Sequence, residues 1–478
     1  MRKSRLIGAV AVSAALGAVV ATSGVAAAHP APAAHESKRA VVHFPANGPG
    51  GQNSHTCFWG VAYSQETRNI IWPDSHTDYP VSTDTIPAGG KIVLHGRFPH
   101  ARFFSLTASS PLGVLRGHLY DVAIKPDPGS TNPFLPGANR NAKHRSYTVT
   151  VVDQPDPGPG HEQPNTLYAG IAGQAPGAGP FVLTERVYLP DRGRDFSGGV
   201  GEPAVSYVDA NGATSTGQSA CAALDVRAGA SSLINVNPIL WPEAKIQQLL
   251  TLSNPPEHPA VKDPVWYKYF GPSWLLAPYY AGTSDASLIS TLPLTATGLG
   301  ANPANGYVFT WLDRSFGSNH NGHNIAVLHG KLPTTPATYA GESRMARSTQ
   351  MRYWSMCNNE GLPSGKTTGS CLADEEVPIN GRRDYTIVVS LPQDRPKNAT
   401  DKCGVAWMNW GTAGDGYTRP RSTMLVMRNL TTTAHPAFRN AVQNIANPAT
   451  VKQVMGAYLP TVSYTTAAMF QKHGCQTG

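Results

Sequence analysis

The sequence has few charged residues and no long apolar segment beyond its first 28 residues. Asp, Glu, Lys and Arg make up 14% of the 478 residues and aromatic residues 8%, and no dense basic run is present. This composition is unlike that of a nucleic-acid-binding protein. No later stretch approaches the roughly 20 continuous apolar residues of a membrane-spanning helix. We therefore expect neither a nucleic-acid partner nor a membrane span.

Familiar catalytic motifs are also missing. The chain has no G-x-S-x-G nucleophile elbow and no H-E-x-x-H zinc-protease motif. None of its six cysteines stands in a C-x-x-C spacing, which argues against a redox or zinc centre. A catalytic set assembled from distant loops stays open, because such sets are recognised by their geometry.

The N-terminus has the pattern of a secretory signal peptide. Residues 1–28 contain three basic residues within the first five, an apolar stretch and a small-residue cleavage site of three alanines. Without those three, 35 of the 38 basic residues face 30 acidic ones, so the formal charge falls from +8 to +5. We expect a secreted, extracellular protein that begins with a flexible leader over residues 29–50. Its mildly cationic surface is compatible with an anionic cell-wall polymer as a partner.

One strand-and-turn pattern occurs twice. Residues 93–99 read VLHGRFP and residues 327–333 read VLHGKLP, with the same residue at five positions. The abundance of glycine (47) and proline (41) favours many short strands joined by turns. We therefore predict a mainly β fold of two similar β-sandwich or jelly-roll-like halves with a small C-terminal helical cap.

The predicted domains follow from this plan. We expect an N-terminal β domain over 51–232, a helical and aromatic linker region over 233–304, a C-terminal β domain over 305–430 and the helical cap over 431–478. Apolar spacing in the cap predicts helices at 438–445, 451–458 and 463–473.

An even number of cysteines in an exported chain indicates disulfides. Spacing alone does not select the partners, but the two-half plan suggests three pairs. These are Cys57 with Cys221, Cys357 with Cys371, and Cys403 with Cys475.

The densest aromatic cluster lies between the two predicted halves, at residues 264–280. Flat rings with polar edges form platforms for sugars or apolar ligands, and pockets between domains are favoured sites. The alternative is that these rings fill an inter-domain core. The candidate ligand-binding residues are Trp266, Tyr269, Trp274, Tyr280, Trp407 and Trp410.

Histidines and acids provide weaker candidates. His320 and His323 could ligate a metal on a tight loop with His329 or an acid as a third ligand, or they could belong to a solvated polar loop. Glu185, Asp313 and His329 are the catalytic candidates, although His329 and its repeat partner His95 also fit a hydrogen-bonded structural role. No cofactor is predicted, and a divalent metal at the histidine pair is left open.

Three segments resemble a group of exported actinobacterial β-rich proteins with no assigned activity. They are residues 97–106 (RFPHARFFSL), 126–134 (PDPGSTNPF) and 352–355 (RYWS). The resemblance covers most of the mature chain. It implies an exported β-rich protein and transfers no catalytic residues.

Two functions remain open from the sequence. The first is a secreted or envelope-associated monomer that binds a glycan or an apolar small molecule in an aromatic cleft between the halves. The alternative is a secreted ester or glycoside hydrolase, metal-assisted or not, with its acids and histidines in the same cleft. The missing catalytic motifs favour binding.

Overall fold

The chain folds mainly into β-strands, as predicted. The structure, a computed structural model, describes residues 57–60, 62–66, 68–111, 113–226, 263–270, 302–317, 324–361, 364–416, 420–433 and 436–475. We call residues 57–226 the first half and residues 263–475 the second half. Of the expected helical and aromatic linker region over 233–304, only residues 263–270 and 302–304 are among the described residues.

The first half contains ten strands and one short helix among its described residues. They are β1 (Thr77–Asp78), β2 (Val81–Asp84), β3 (Lys91–Arg97), β4 (Ala101–Ser109), β5 (Leu115–Tyr120), β6 (Ser146–Val152), β7 (Thr166–Tyr168), β8 (Phe181–Pro190), β9 (Ala204–Val208), β10 (Thr214–Thr216) and α1 (Gly217–Ala223).

The described part of the second half contains nine strands and two short α-helices. They are β11 (Tyr267–Lys268), β12 (Asn305–Asp313), β13 (Asn324–Lys331), β14 (Tyr353–Asn359), β15 (Thr367–Ala373), β16 (Asp384–Ser390), β17 (Val405–Asn409), β18 (Ser422–Leu430), α2 (Val451–Met455), β19 (Thr461–Thr466) and α3 (Ala467–Lys472).

Each half is a sandwich of two sheets. In the first half, one sheet has the order β1-β8-β4-β5, with β2 also on β8, and the other has the order β10-β9-β3-β6-β7. In the second half the orders are β11-β12-β18-β14-β15 and β17-β16-β13-β19. A separate apolar core fills the space between the two sheets of each half.

Burial patterns show which sheet of each half is central. Strands β4, β14 and β18 are buried at every position, whereas β6 and β9 alternate between buried and half-buried residues. Continuous burial indicates a strand covered on both faces, and alternation indicates one covered face. We call the sheets with β4 and β14 the inner sheets, because they pack against each other, and the remaining two the outer sheets. Residues Phe44–Gly478 form one compact unit.

The repeated sequence pattern marks equivalent positions in the two outer sheets. Gly96 lies opposite Tyr147 in the β3–β6 pair, and Gly330 lies opposite Tyr385 in the β13–β16 pair. A methyl group on Gly96 would overlap the Tyr147 ring, and one on Gly330 would come within 2.6 Å of the Tyr385 hydroxyl. The repeat therefore requires glycine because a tyrosine ring covers the backbone at this position.

At the interface between the halves, an arginine of each half pairs with an aspartate of the other half, so we call these two contacts the exchanged ion pairs. Asp121 accepts a hydrogen bond from the Phe104 backbone in its own half and lies 3.4 Å from Arg352 of the other half. Asp374 accepts from the Trp354 backbone in its own half and lies 3.0 Å from Arg102 of the first half. The two contacts have the same plan, so the halves are related by an approximate two-fold arrangement at this interface.

The structure joins Cys57 to Cys221, Cys357 to Cys371, and Cys403 to Cys475, the pairs that the two-half plan suggested. Disulfides are typical of oxidising compartments such as the extracellular space. In the described residues, no helix combines the length and apolar character needed to cross a membrane.

The predicted C-terminal cap is only partly helical. The described part has α2, short 3-10 turns near it and α3. The helix predicted at 463–473 is present only from Ala467 to Lys472, because Thr461–Thr466 forms β19. This segment contains β-branched residues, and it covers the edge of β13 that would otherwise be unpaired. Edge pairing therefore outweighs the helical spacing here.

Candidate functional site

A pocket of about 130 Å³ lies between the two inner sheets. Strands β2, β4 and β8 of the first half and β12 and β18 of the second half contribute to its wall, together with residues 70–73. Aromatic and aliphatic side chains dominate the lining, which also holds two arginines. The lining residues used below are Trp72, Tyr79, Val81, Arg186, Tyr188, Tyr269, Tyr307, Phe309, Val426 and Arg428.

Strand alternation explains which side chains reach the pocket. On β8, Arg186 and Tyr188 point into the pocket, whereas Leu183 and Val187 fill the core of the first half. On β18, Val426 faces the pocket while its neighbours fill the core of the second half. An inner sheet can therefore supply a core with one face and a ligand site with the other.

The two halves place an arginine and a tyrosine at equivalent points of the pocket. Arg186 lies opposite Ser105 in the β4–β8 pair, and Arg428 lies opposite Ser355 in the β14–β18 pair. Each guanidinium carbon lies 5.8 Å from a tyrosine ring centre, Arg186 over Tyr79 and Arg428 over Tyr307. These are cation–π distances, so each arginine has a favourable aromatic neighbour within the pocket wall.

Neighbouring groups hold the arginines in place. Arg186 donates a hydrogen bond to the Thr107 hydroxyl, and Arg428 donates to Cys357 Sγ at 2.7 Å. Thr107 and Cys357 occupy the same register position relative to their arginines. The approximate two-fold arrangement thus extends from the interface into the pocket.

A buried carboxylate lies behind Arg428. Asp74 Oδ2 accepts hydrogen bonds from the Tyr353 hydroxyl at 3.0 Å and the Ser355 hydroxyl at 2.7 Å, and it lies 3.7 Å from Arg428 Nη1. Although burial acts to raise the pKa of Asp74, its hydrogen bond to His76 and the charge of Arg428 lower it far below its usual range. Asp74 is therefore an anion of the first half that is fixed against the second half.

His76 extends this charged network to another acid. Its two ring nitrogens lie 3.3 Å from Asp74 Oδ1 and 2.7 Å from Glu376 Oε2. Burial opposes the charged imidazolium, but Glu376 and Asp74 raise the pKa of His76 to about 10. The network joins residues of the first half to Glu376 and Arg428 of the second.

The pocket wall contains strained backbone. Ile71 and Trp72 have φ angles of 60° and 51°, in the left-handed region that β-branched and bulky residues rarely adopt. The second half holds this segment, because the Trp72 backbone N–H donates to Gly365 O at 2.7 Å and its indole donates to Glu360 O at 3.0 Å. Strain of this kind concentrates at functional sites, where the surrounding structure must maintain it.

Of the predicted ligand-binding aromatics, Tyr269 lines the pocket. Trp266 and Trp410 instead fill the core of the second half, and the Trp266 indole donates to Pro460 O. Trp407 packs with the cluster on the outer face of that half, 4.6 Å from the Arg395 guanidinium. None of these three rings is in the described pocket lining, because Trp266 and Trp410 are buried between the sheets of the second half and Trp407 packs on its outer face. Trp274 and Tyr280 lie outside the described residues.

Sequence reasoning missed Tyr307 and Phe309 on β12. Residues 307–311 read YVFTW, and their period-two aromatic spacing was available in the sequence as the mark of one aromatic strand face. No comparable sequence pattern marks Trp72, Arg186 or Arg428 as pocket residues, because segments far apart in the sequence bring them to the pocket.

The predicted catalytic residues are not brought together. Glu185 points away from the pocket into the first half, where burial and Glu202 raise its pKa well above the usual range. Asp313 accepts hydrogen bonds from the Ser315 backbone and the Ser422 hydroxyl at the end of β12. His329 lies on the outer sheet, 3.0 Å from Thr386 Oγ1, just as His95 lies 3.3 Å from Thr148 Oγ1.

The possible metal ligands need separate treatment. His320 and His323 lie outside the described residues. Within the described part, Asp74, Cys357 and Cys371 are close enough to share an ion, but the two cysteines are joined to each other in a disulfide. A metal normally takes thiolates, so this group does not have the donor set of a cysteine metal site.

No protein-family model and no curated protein matches the chain. Among solved structures, an uncharacterized protein from Burkholderia cenocepacia is similar with a TM-score of 0.45 and 11% identity, over 86% of this chain and 82% of that one. The VPA0106 protein from Vibrio parahaemolyticus is similar with a TM-score of 0.36 and 11% identity, over 82% of this chain and 89% of that one. Similarities at this level carry no argument about the function of this chain.

Proposed function

We propose that this protein is a secreted binding protein for a small, mainly apolar molecule, and that the pocket between the inner sheets is its binding site. The observation that carries the proposal is the lining of this pocket by aromatic side chains from both halves, with one arginine from each half at its edge. Pockets of this kind bind ligands through apolar contact and orient them with a few polar groups.

The lining favours an apolar molecule over a glycan. Tyr188, Tyr307 and Phe309 present ring surface, and burial raises the pKa of Tyr188 and Tyr307 well above the usual range, so these hydroxyls stay neutral. A glycan would need many hydrogen-bonding partners, whereas a mainly apolar molecule with one acceptor group would need few. Arg186 and Arg428 are suited to that acceptor group.

The described lining supplies no support for hydrolysis. It contains neither a carboxylate nor a histidine. The binding function is therefore the one that the pocket chemistry supports.

Binding can be tested with isothermal titration calorimetry against two panels, aromatic or aliphatic carboxylates and neutral oligosaccharides. We expect saturable binding of members of the first panel. Val426→Trp, which fills the pocket from β18, should weaken this binding at least tenfold. Trp407→Phe, on the outer face of the second half, is the matched control and should leave the affinity unchanged.

A second variant covers the case in which Val426→Trp perturbs folding. Tyr269→Ala enlarges the pocket and removes one ring, and a loss of about 1–2 kcal/mol in binding free energy is expected from the lost contact area. If oligosaccharides alone bind, or if both pocket variants bind like the wild type, the proposal is wrong.

A further inference from the structure

The second candidate site lies away from the pocket, around Arg145 at the start of β6. Arg145 corresponds to Arg383 at the start of β16, because their backbone carbonyls accept equivalent hydrogen bonds. The Phe98 N–H donates to Arg145 O and the Leu332 N–H donates to Arg383 O, both at 2.9 Å. The two arginines therefore allow the same position to be compared in both halves.

The guanidinium groups of Arg383 and Arg145 have different hydrogen-bond partners. Arg383 closes the repeated motif of its own half, since its Nε donates to Leu332 O at 3.0 Å and its Nη2 donates to Pro333 O at 2.7 Å. Arg145 makes only a 3.5 Å contact to Pro99 O, and its Nε has no hydrogen-bond partner among the described residues. Its Nη1 instead lies against the imidazole of His100, 2.8 Å from Nδ1.

Arg145 is only 2% exposed, so its charge is largely removed from water. The described part of the chain gives it no ion pair with a carboxylate. A buried charge is costly unless it is paired and its hydrogen-bonding groups are satisfied. The unpartnered Nε is thus the kind of donor that a bound anion would satisfy.

Other basic groups surround Arg145. Arg140 is buried and pairs with Asp191, whose backbone N–H donates to His100 O at 2.9 Å, whereas Arg97 and Arg194 are exposed. Burial and the charges of Arg145, Arg194, Arg140 and Arg97 lower the pKa of His100 to about 4. His100 is therefore neutral at neutral pH.

The nearby acids do not balance this group. Asp191 is engaged by Arg140, and Asp195 Oδ1 accepts hydrogen bonds from the Ser197 hydroxyl and the Ser197 and Gly199 backbones. The four arginines thus exceed the two carboxylates by two charges.

We propose that Arg145, Arg140, Arg194 and His100 form a binding site for an oxyanion of the phosphate or sulfate class, as the free ion or as an ester group on an anionic polymer. Guanidinium groups match such oxyanions with paired N–H donors, and His100, both of whose ring nitrogens contact Arg145 Nη1, holds that guanidinium in place. The site is independent of the pocket between the inner sheets.

The test is isothermal titration with inorganic phosphate in a chloride buffer of constant ionic strength, with a parallel titration of polyphosphate. We expect saturable phosphate binding by the wild type. Arg145→Gln should abolish it, and Arg194→Ala should weaken it about tenfold, the loss of roughly one charge-assisted contact. Arg383→Gln, the equivalent change in the second half, should have no effect.

Arg194 is exposed, so Arg194→Ala carries the test even if Arg145→Gln does not fold. Polyphosphate binding that is much tighter per site than phosphate binding would identify a phosphoryl group carried by a polymer as the ligand, and equal affinity would identify the free ion. The proposal is wrong if the wild type binds no phosphate at millimolar concentration. It is also wrong if Arg194→Ala binds phosphate as tightly as Arg383→Gln does.

Discussion

The two halves of the molecule share a strand plan but differ in the residue that begins the turn before a pocket tyrosine. Asp74 and Asn302 each stand five residues before a pocket tyrosine, Tyr79 and Tyr307, and each begins the same kind of turn. Asp74 is an anion close to Arg428, whereas Asn302 is a neutral amide. The two halves thus place an acid and a neutral amide at equivalent points of the same plan.

The outer sheets differ as well. On the second half, Phe470 of α3 and Ala399 cover Ile325 and Val327 of β13. On the first half, the equivalent positions of β3 are Lys91, which is exposed, and Val93, which is half-buried. The outer sheets of the two halves therefore differ in the residues that pack on their outer faces, although their central strands pair in the same order.

The largest expected effect concerns the exchanged ion pairs. Arg102→Met should lower the free energy of unfolding by about 3–5 kcal/mol, because it leaves the buried Asp374 without its charged partner. Arg352→Met should cost less, about 2 kcal/mol, because burial already raises the pKa of Asp121 to about 6 and the acid can take up a proton. Denaturant unfolding of the two variants at pH 7 measures both values.

Equal losses in Arg102→Met and Arg352→Met would contradict this prediction. If the two variants lose the same free energy of unfolding, the raised pKa of Asp121 does not reduce the cost of losing its arginine, and the predicted difference between the two ion pairs is wrong. Repeating the measurement at pH 5, where Asp121 is protonated more readily, should reduce the cost of Arg352→Met further.

The repeated glycines should show equal effects in the two halves. Gly96→Ala and Gly330→Ala should each lower the free energy of unfolding by about 1–3 kcal/mol, because Tyr147 or Tyr385 must move away from the new methyl group. Gly381→Ala is the matched control, since no described atom lies within 4 Å of the position that its new methyl group would take. A neutral effect of either repeat substitution would show that the tyrosine can relax, and the packing account of the repeat would be wrong.

The last effect concerns pH and the network that links the halves. The folded pKa of His76, about 10, exceeds the ordinary value of 6.5. Its charge therefore stabilises the fold fully below about pH 6.5, and this contribution is lost as the pH rises toward 10. His76→Gln should flatten the fall in unfolding free energy between pH 7 and 10, as measured by denaturant titration at several pH values. An unchanged slope would exclude His76 as its source.

The sequence predicted the general organisation because local patterns carry it. The VLHG repeat and the β-branched alternation of residues 147–152 depend on neighbours in one strand and its partner. The pocket depends on chain segments far apart, such as Trp72 held by Glu360 and Gly365. Aromatic residues alone could not distinguish Tyr269, which faces the pocket, from Trp266 three residues earlier, which enters a core.

The most direct test of the central claim is to follow the methyl groups of Val81 and Val426 by NMR during titration with a ligand found by calorimetry. These residues belong to different halves and line the same pocket. The account predicts that both methyl signals shift with one common midpoint, while the signals of Val149 in the first core stay in place. Shifts in one half alone, or in neither, would contradict a binding site built by both halves.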